Sequence, residues 1–205
     1  MIPLGEAGLA LEGTYLSGSQ NDDRGALVAP PQPLYGGSMD SPVANEVAYA
    51  CERCGIASLR FNWRGVGASA GTPSGEMAHA EEDYDAALAH LEQTVFGAII
   101  ACGYSFGAIA ALRCGKRRPR VRRLMLVAPP LAALDRAALE EFNGRLLVIA
   151  AEQDDLAPPA GLERALAEID RAELVVVPEA DHFFTAGLAQ VGRAIRDWLV
   201  REQSA

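Results

Sequence analysis

The stretch IIACGYSFGA, residues 99–108, decides how the rest of the chain is read. An apolar run suited to a buried strand stops at Gly103, a serine stands between two glycines, and small apolar residues suited to a helix follow. A serine at so tight a strand-to-helix bend takes strained backbone angles, and the residues two before and two after it must be small. Gly103 and Gly107 meet that need. A helix starting at Phe106 points its unpaired N–H groups at the same spot, which suits an oxyanion. The functional reading makes Ser105 a nucleophile and the Phe106 N–H the first oxyanion donor. The bland reading is a turn, and the pentapeptide alone does not separate the two.

The context does. Strand-like runs stand at 9–16, 26–30, 56–62, 97–102, 122–128, 145–150 and 173–177, most of them continuous rather than alternating, as strands covered on both faces require. Helix patterns lie between them. Ser41 reads as an N-cap with Pro42 at the first helical position and Gly55 as the stop. Further helices are expected over 76–93, 106–116, 159–169 and 186–201, and a short one within 129–144. The alternation predicts the α/β class, with a mainly parallel open sheet of about seven strands and helices on both faces. In such sheets ligands bind beyond the carboxyl ends of the strands, where Ser105 falls.

A serine hydroxyl needs a base, usually a histidine held in one tautomer by a carboxylate. Of the three histidines, His79 and His90 read as ordinary members of the helix at 76–93. His182, in DHFF after the last strand run, belongs to a loop at the same sheet edge as Ser105. AEQDDLAPP, after the run at 145–150, offers Asp154 and Asp155, and neighbouring residues cannot both face one imidazole.

The order Ser105, Asp154, His182, each just after a strand, resembles the α/β-hydrolase superfamily. The likeness covers nearly the whole chain, from ALVAPPQPLYGGSMD through RFNWRGVGASAG and GYSFGA to ADHFF, and is greatest to small, lid-poor bacterial serine hydrolases of the predicted esterase type. The usual acid-loop spacing of that family selects Asp154 over Asp155. The resemblance implies a Ser105–His182–Asp154 triad and no metal or organic cofactor. One departure stands out: the family's His-Pro-His-Pro run is here Pro30-Pro31-Gln32-Pro33. Proline has no N–H to donate, so the resemblance implies Gln32, at the family's usual position, as the second oxyanion donor, or Leu34 if the loop has shifted. Tyr35, Trp63 and Phe183 are candidate substrate-binding residues, and the site is expected to be open and shallow.

The other features point away from rival functions. With 205 residues, half of them hydrophobic, the chain reads as one domain, 1–205, that folds without disulfides or metals. A net charge of −9 disfavours nucleic acid and anionic membrane as partners. The basic run KRRPRVRR at 116–123 follows a helix, where cations offset the dipole. The N-terminal MIPLGEAGLALEG lacks a basic segment followed by an apolar one, so a cytoplasmic protein is expected. Cys51, Cys54, Cys102 and Cys114 read as packing thiols, because the C-x-x-C pair closes a helix and has no second ligand pair. Gly65-x-Gly67-x-x-Ala70 is similar to a dinucleotide fingerprint, but Gly71, Thr72, Pro73, Ser74 and Gly75 stand where its helix should start. The expected activity is cleavage of a small ester or thioester, with a small-molecule acyl substrate as partner. An acyltransferase, a peptidase, a cofactor-free perhydrolase and a non-catalytic binding protein on the same fold remain alternatives.

Overall fold

Near-continuous apolar runs form the middle of one sheet. They are β4 (Gly25–Ala29), β5 (Ala57–Phe61), β6 (Ile99–Tyr104), β7 (Val121–Val127) and β8 (Arg145–Ala151), and β4 and β6 are buried at every position. Together with β3 (Gly13–Leu16) and β9 (Ala172–Val177) they make a seven-stranded sheet in the order β3-β5-β4-β6-β7-β8-β9. Only the β3–β5 pair is antiparallel. The structure, a computed structural model, describes residues 1–5, 9–19 and 23–201.

Helices cover both faces, as the continuous strands require. On one side α1 (Pro42–Arg53) packs against α6 (Leu188–Arg201); on the other α2 (Met77–Thr94) packs against α3 (Phe106–Gly115). Short helices α4 (Arg136–Glu141) and α5 (Pro159–Leu166) contact each other. Ser41 Oγ accepts the Ala44 N–H, so the expected cap of α1 forms, and Gly55 follows that helix at φ 78°. Between β7 and β8 the chain makes only a 3-10 turn, Leu131–Ala133, and α4, so no large lid rises there.

Three expectations are corrected. The run at 9–16 is two strands: β2 (Leu9–Leu11) pairs with β1 (Ile2–Leu4) in a separate hairpin, and β3 joins the main sheet. The break lies at Glu12, whose N–H donates to Ser69 Oγ while its carboxylate accepts from the Ala68 N–H and Asn62 Nδ2. The helix expected to reach 169 ends at Leu166, because Glu168 takes φ 71°, which a helix does not tolerate. The helix expected from 186 starts at Leu188, after Gly187 at φ 86°.

The basic run is absorbed by the fold. Arg117 pairs with Glu81 and Asp85, Arg118 with Asp85 and Glu92, and Lys116 with Glu141. These acids, Glu141 apart, lie on α2, so the cationic turn after α3 is matched by the helix beside it. Gly65 takes φ 69° in a loop with no helix before Met77, which disposes of the dinucleotide reading.

Candidate active site

The strand order reverses between β4 and β6: the chain runs from β4 outward to β5, then crosses to β6 on the other side. The crevice beyond the carboxyl ends of those two strands is where such a sheet binds ligands. Ser105 sits there, directly after β6, with φ 54° and ψ −119°. That conformation costs on the order of 1–3 kcal/mol for a residue with a side chain. Packing enforces it: a Cβ at Gly103 would collide with the Gly107 carbonyl, and one at Gly107 with the carbonyls of Ala29 and Pro30. Both small residues are therefore needed for the bend, as the spacing predicts.

Ser105 Oγ lies 3.0 Å from His182 Nε2, and His182 Nδ1 lies 2.7 Å from Asp154 Oδ2. An ionised carboxylate can only accept, so the Nδ1–H donates to Asp154 and leaves the Nε2 lone pair facing the serine hydroxyl. Asp154 is only 3% exposed; its other oxygen accepts the N–H groups of Leu156 and Ala157. Asp155 is exposed to solvent and makes no contact with the imidazole, so geometry agrees with the spacing that prefers its neighbour. His79 bonds instead to Ser74 Oγ at 2.8 Å on the surface, and His90 stays within α2.

The loop after β4 forms the opposite wall. A 3-10 turn, Pro33–Tyr35, is capped by Gln32, whose side chain accepts the Leu34 N–H at 3.5 Å. Leu34, the alternative oxyanion donor, thus has its N–H turned onto Gln32 and lies outside the cleft wall, whereas Gln32 lines it. No protein acceptor takes the backbone N–H of Gln32 or Phe106 among the described residues, which leaves both donors for a ligand.

One expectation about the surroundings changes. Trp63 does not line the cleft: it is 1% exposed, stacks edge-on to Phe61 and Phe106, and donates its indole N–H to the carbonyls of Pro30 and Pro31. It props the loop from beneath, whereas Tyr35 and Phe183, both exposed, line the cleft. A cleft of about 850 Å³ opens over Ser105, walled by Pro42 and Val43 of α1, Met77 of α2, Ile109 of α3, and Pro130, Leu156 and Leu188.

Sequence reasoning missed Tyr104. Its hydroxyl donates to the backbone carbonyl of His182 at 2.8 Å, and its ring packs on both His182 and Phe184. Burial, then the nearby Asp154 and Asp181, push its phenol pKa well up, so it stays protonated and donating. The one available signal was its place beside Ser105, since the residue before the bend must lie near whatever faces the serine. The loop is clamped again by Asp181, which accepts from the N–H and hydroxyl of Thr185.

Comparison with known proteins places the chain among hydrolases of this fold. A family model described as serine aminopeptidase, S33, a hydrolase family, matches residues 34–140, a span that includes Ser105. A protein of unknown function from Agrobacterium tumefaciens superposes with a TM-score of 0.87 at 26% identity, over 100% of this chain and 96% of that one. A serine hydrolase without a lid from Xanthomonas campestris gives 0.79 at 25%, over 97% of each chain. An uncharacterized protein of Rickettsia prowazekii is 28% identical over 95% of this chain and 86% of its own length. No helix among the described residues is long and apolar enough to cross a membrane. With its mainly parallel seven-stranded sheet, its bent serine and its missing lid, the chain belongs to the serine aminopeptidase S33 family of α/β hydrolases.

Proposed function

We propose that residues 1–205 form one serine-hydrolase domain that cleaves a carboxylic ester or thioester through an acyl-enzyme on Ser105. The observation that carries this reading is the unbroken hydrogen-bonded line from Ser105 Oγ through His182 to the buried Asp154. In the first half-reaction Ser105 Oγ bonds to the carbonyl carbon, its proton passes to His182 Nε2, and the carbonyl electron pair moves onto oxygen. The N–H groups of Phe106 and Gln32 hold that oxyanion; one such donor is worth roughly 10²–10³ in rate. Collapse breaks the bond to the leaving oxygen or sulfur, which takes the proton from His182. Water then repeats the sequence, releasing the acid and restoring the serine. Asp154 keeps the imidazole in its working tautomer and stabilises the cation that forms twice per cycle.

The proposal extends to the cytoplasm as site of action, in keeping with four cysteines that stand as free thiols, three of them buried. Short p-nitrophenyl esters test the reaction: the wild-type chain should turn them over and label with a fluorophosphonate, and Ser105→Ala should lose at least about 10³-fold in rate and all labelling. Equal rates for the two proteins would defeat it.

A further inference from the structure

We infer that the cleft selects esters of an uncharged, apolar acyl group of medium length, and rejects the free α-ammonium that an aminopeptidase must hold. The inference rests on the hydrolase reading above and names the substrate class of the same site. Among the described residues, no Asp, Glu, Lys or Arg lines the cleft. An ammonium group drawn into such surroundings loses its hydration and needs a carboxylate in return. The carboxylates of the acid and histidine loops do not enter it either. Asp154 lies behind the imidazole with both oxygens bonded, and Asp181, which accepts from Thr185, and exposed Asp155 are outside the wall.

The shape of the cleft adds the length. About 850 Å³ is in the range that takes a whole drug-sized ligand, so an acetyl group would leave most of it to water. Met77, Ile109, Val43 and Leu156 offer only carbon and sulfur surface to whatever extends from Ser105, and a chain of roughly six to ten carbons would exploit it. Burial of one methylene is worth about fourfold in an equilibrium constant, and less on the open side.

The test uses the wild-type chain with p-nitrophenyl acetate, butyrate, hexanoate and octanoate, together with one matched pair: the p-nitrophenyl esters of leucine and of 4-methylpentanoate, which differ only in the α-ammonium. Spontaneous hydrolysis is subtracted, and Ser105→Ala is the control. The expected result is a kcat/KM that rises roughly two- to fourfold per methylene as far as hexanoate and does not fall at octanoate, with 4-methylpentanoate favoured over leucine by at least about tenfold. A flat or falling series, or leucine equal to its uncharged counterpart, with turnover still dependent on Ser105, overturns this inference alone. No Ser105-dependent turnover of any ester overturns the hydrolase reading and this inference with it.

Discussion

At the scale of single residues, the site depends on side chains that hold others in place. Ser105 can keep its strained angles because Gly103, Gly107 and the Pro30 carbonyl leave the bend no other course. Tyr104 serves His182 in the same way, tying the backbone of the histidine loop to the strand that carries the serine. Tyr104→Phe removes only the hydroxyl, and a hydrogen bond of this kind is worth about 0.5–1.5 kcal/mol. If the bond aligns the imidazole, kcat for a short ester falls roughly three- to tenfold while KM barely changes. Steady-state kinetics on both proteins check this, and an unchanged kcat would show that the loop holds its place without Tyr104. Asp154 and Asp155 were separable in the sequence only through family spacing, since burial is a property of the folded loop. Trp63 shows the converse limit: an aromatic after a strand end reads alike whether it faces a cleft or fills the space beneath one.

At the scale of elements, the turn after α3 shows how unequal similar-looking arginines are. Arg117 is exposed and pairs with Glu81 and Asp85, a geometry worth at most about 1 kcal/mol once solvent screening is counted. Arg120 instead donates to the carbonyls of Glu92, Val95 and Gly97, tying the end of α2 to the entry of β6. Those acceptors would otherwise be left short of donors at a helix terminus. Urea unfolding should show Arg120→Ala costing about 2–3 kcal/mol and Arg117→Ala under about 1 kcal/mol. Strand identity at this scale was legible wherever a strand is covered on both faces, as in β6 and β8, because burial demands an unbroken apolar run. It failed at 9–16, where the divide between two sheets is made by Glu12 bonding to residues more than fifty positions away.

At the scale of the whole molecule, α1 and α6 close one face of the sheet, and they meet over Gly192, where the Glu46 carboxylate occupies the room a side chain would need. Burial raises the Glu46 pKa above its ordinary 4.5, against a smaller lowering by Arg196, 4.0 Å away, and by Arg53. A carboxyl whose folded pKa is raised binds its proton more tightly folded than unfolded, so it lowers stability as pH climbs from about 4.5 through the raised value. Glu46→Gln, which imitates the protonated acid, should therefore melt above the wild type at pH 7 and level with it at pH 4. Thermal melts at the two values measure the gap; a variant that melts lower at pH 7 would mean that the Arg196 attraction outweighs burial.

By itself the sequence determined the βα alternation, the bend at Ser105 and the candidate set Ser105, His182 and Asp154 or Asp155, because local chain geometry and strand burial write directly into residue type and spacing. The tertiary structure alone decided that Ser105 and His182, 77 positions apart, stand 3.0 Å from each other. It alone also formed an apolar cleft from segments as distant as Pro42 and Leu188. The volume and charge of a cavity depend on which walls face one another across the sheet edge, and no single stretch of chain carries that information.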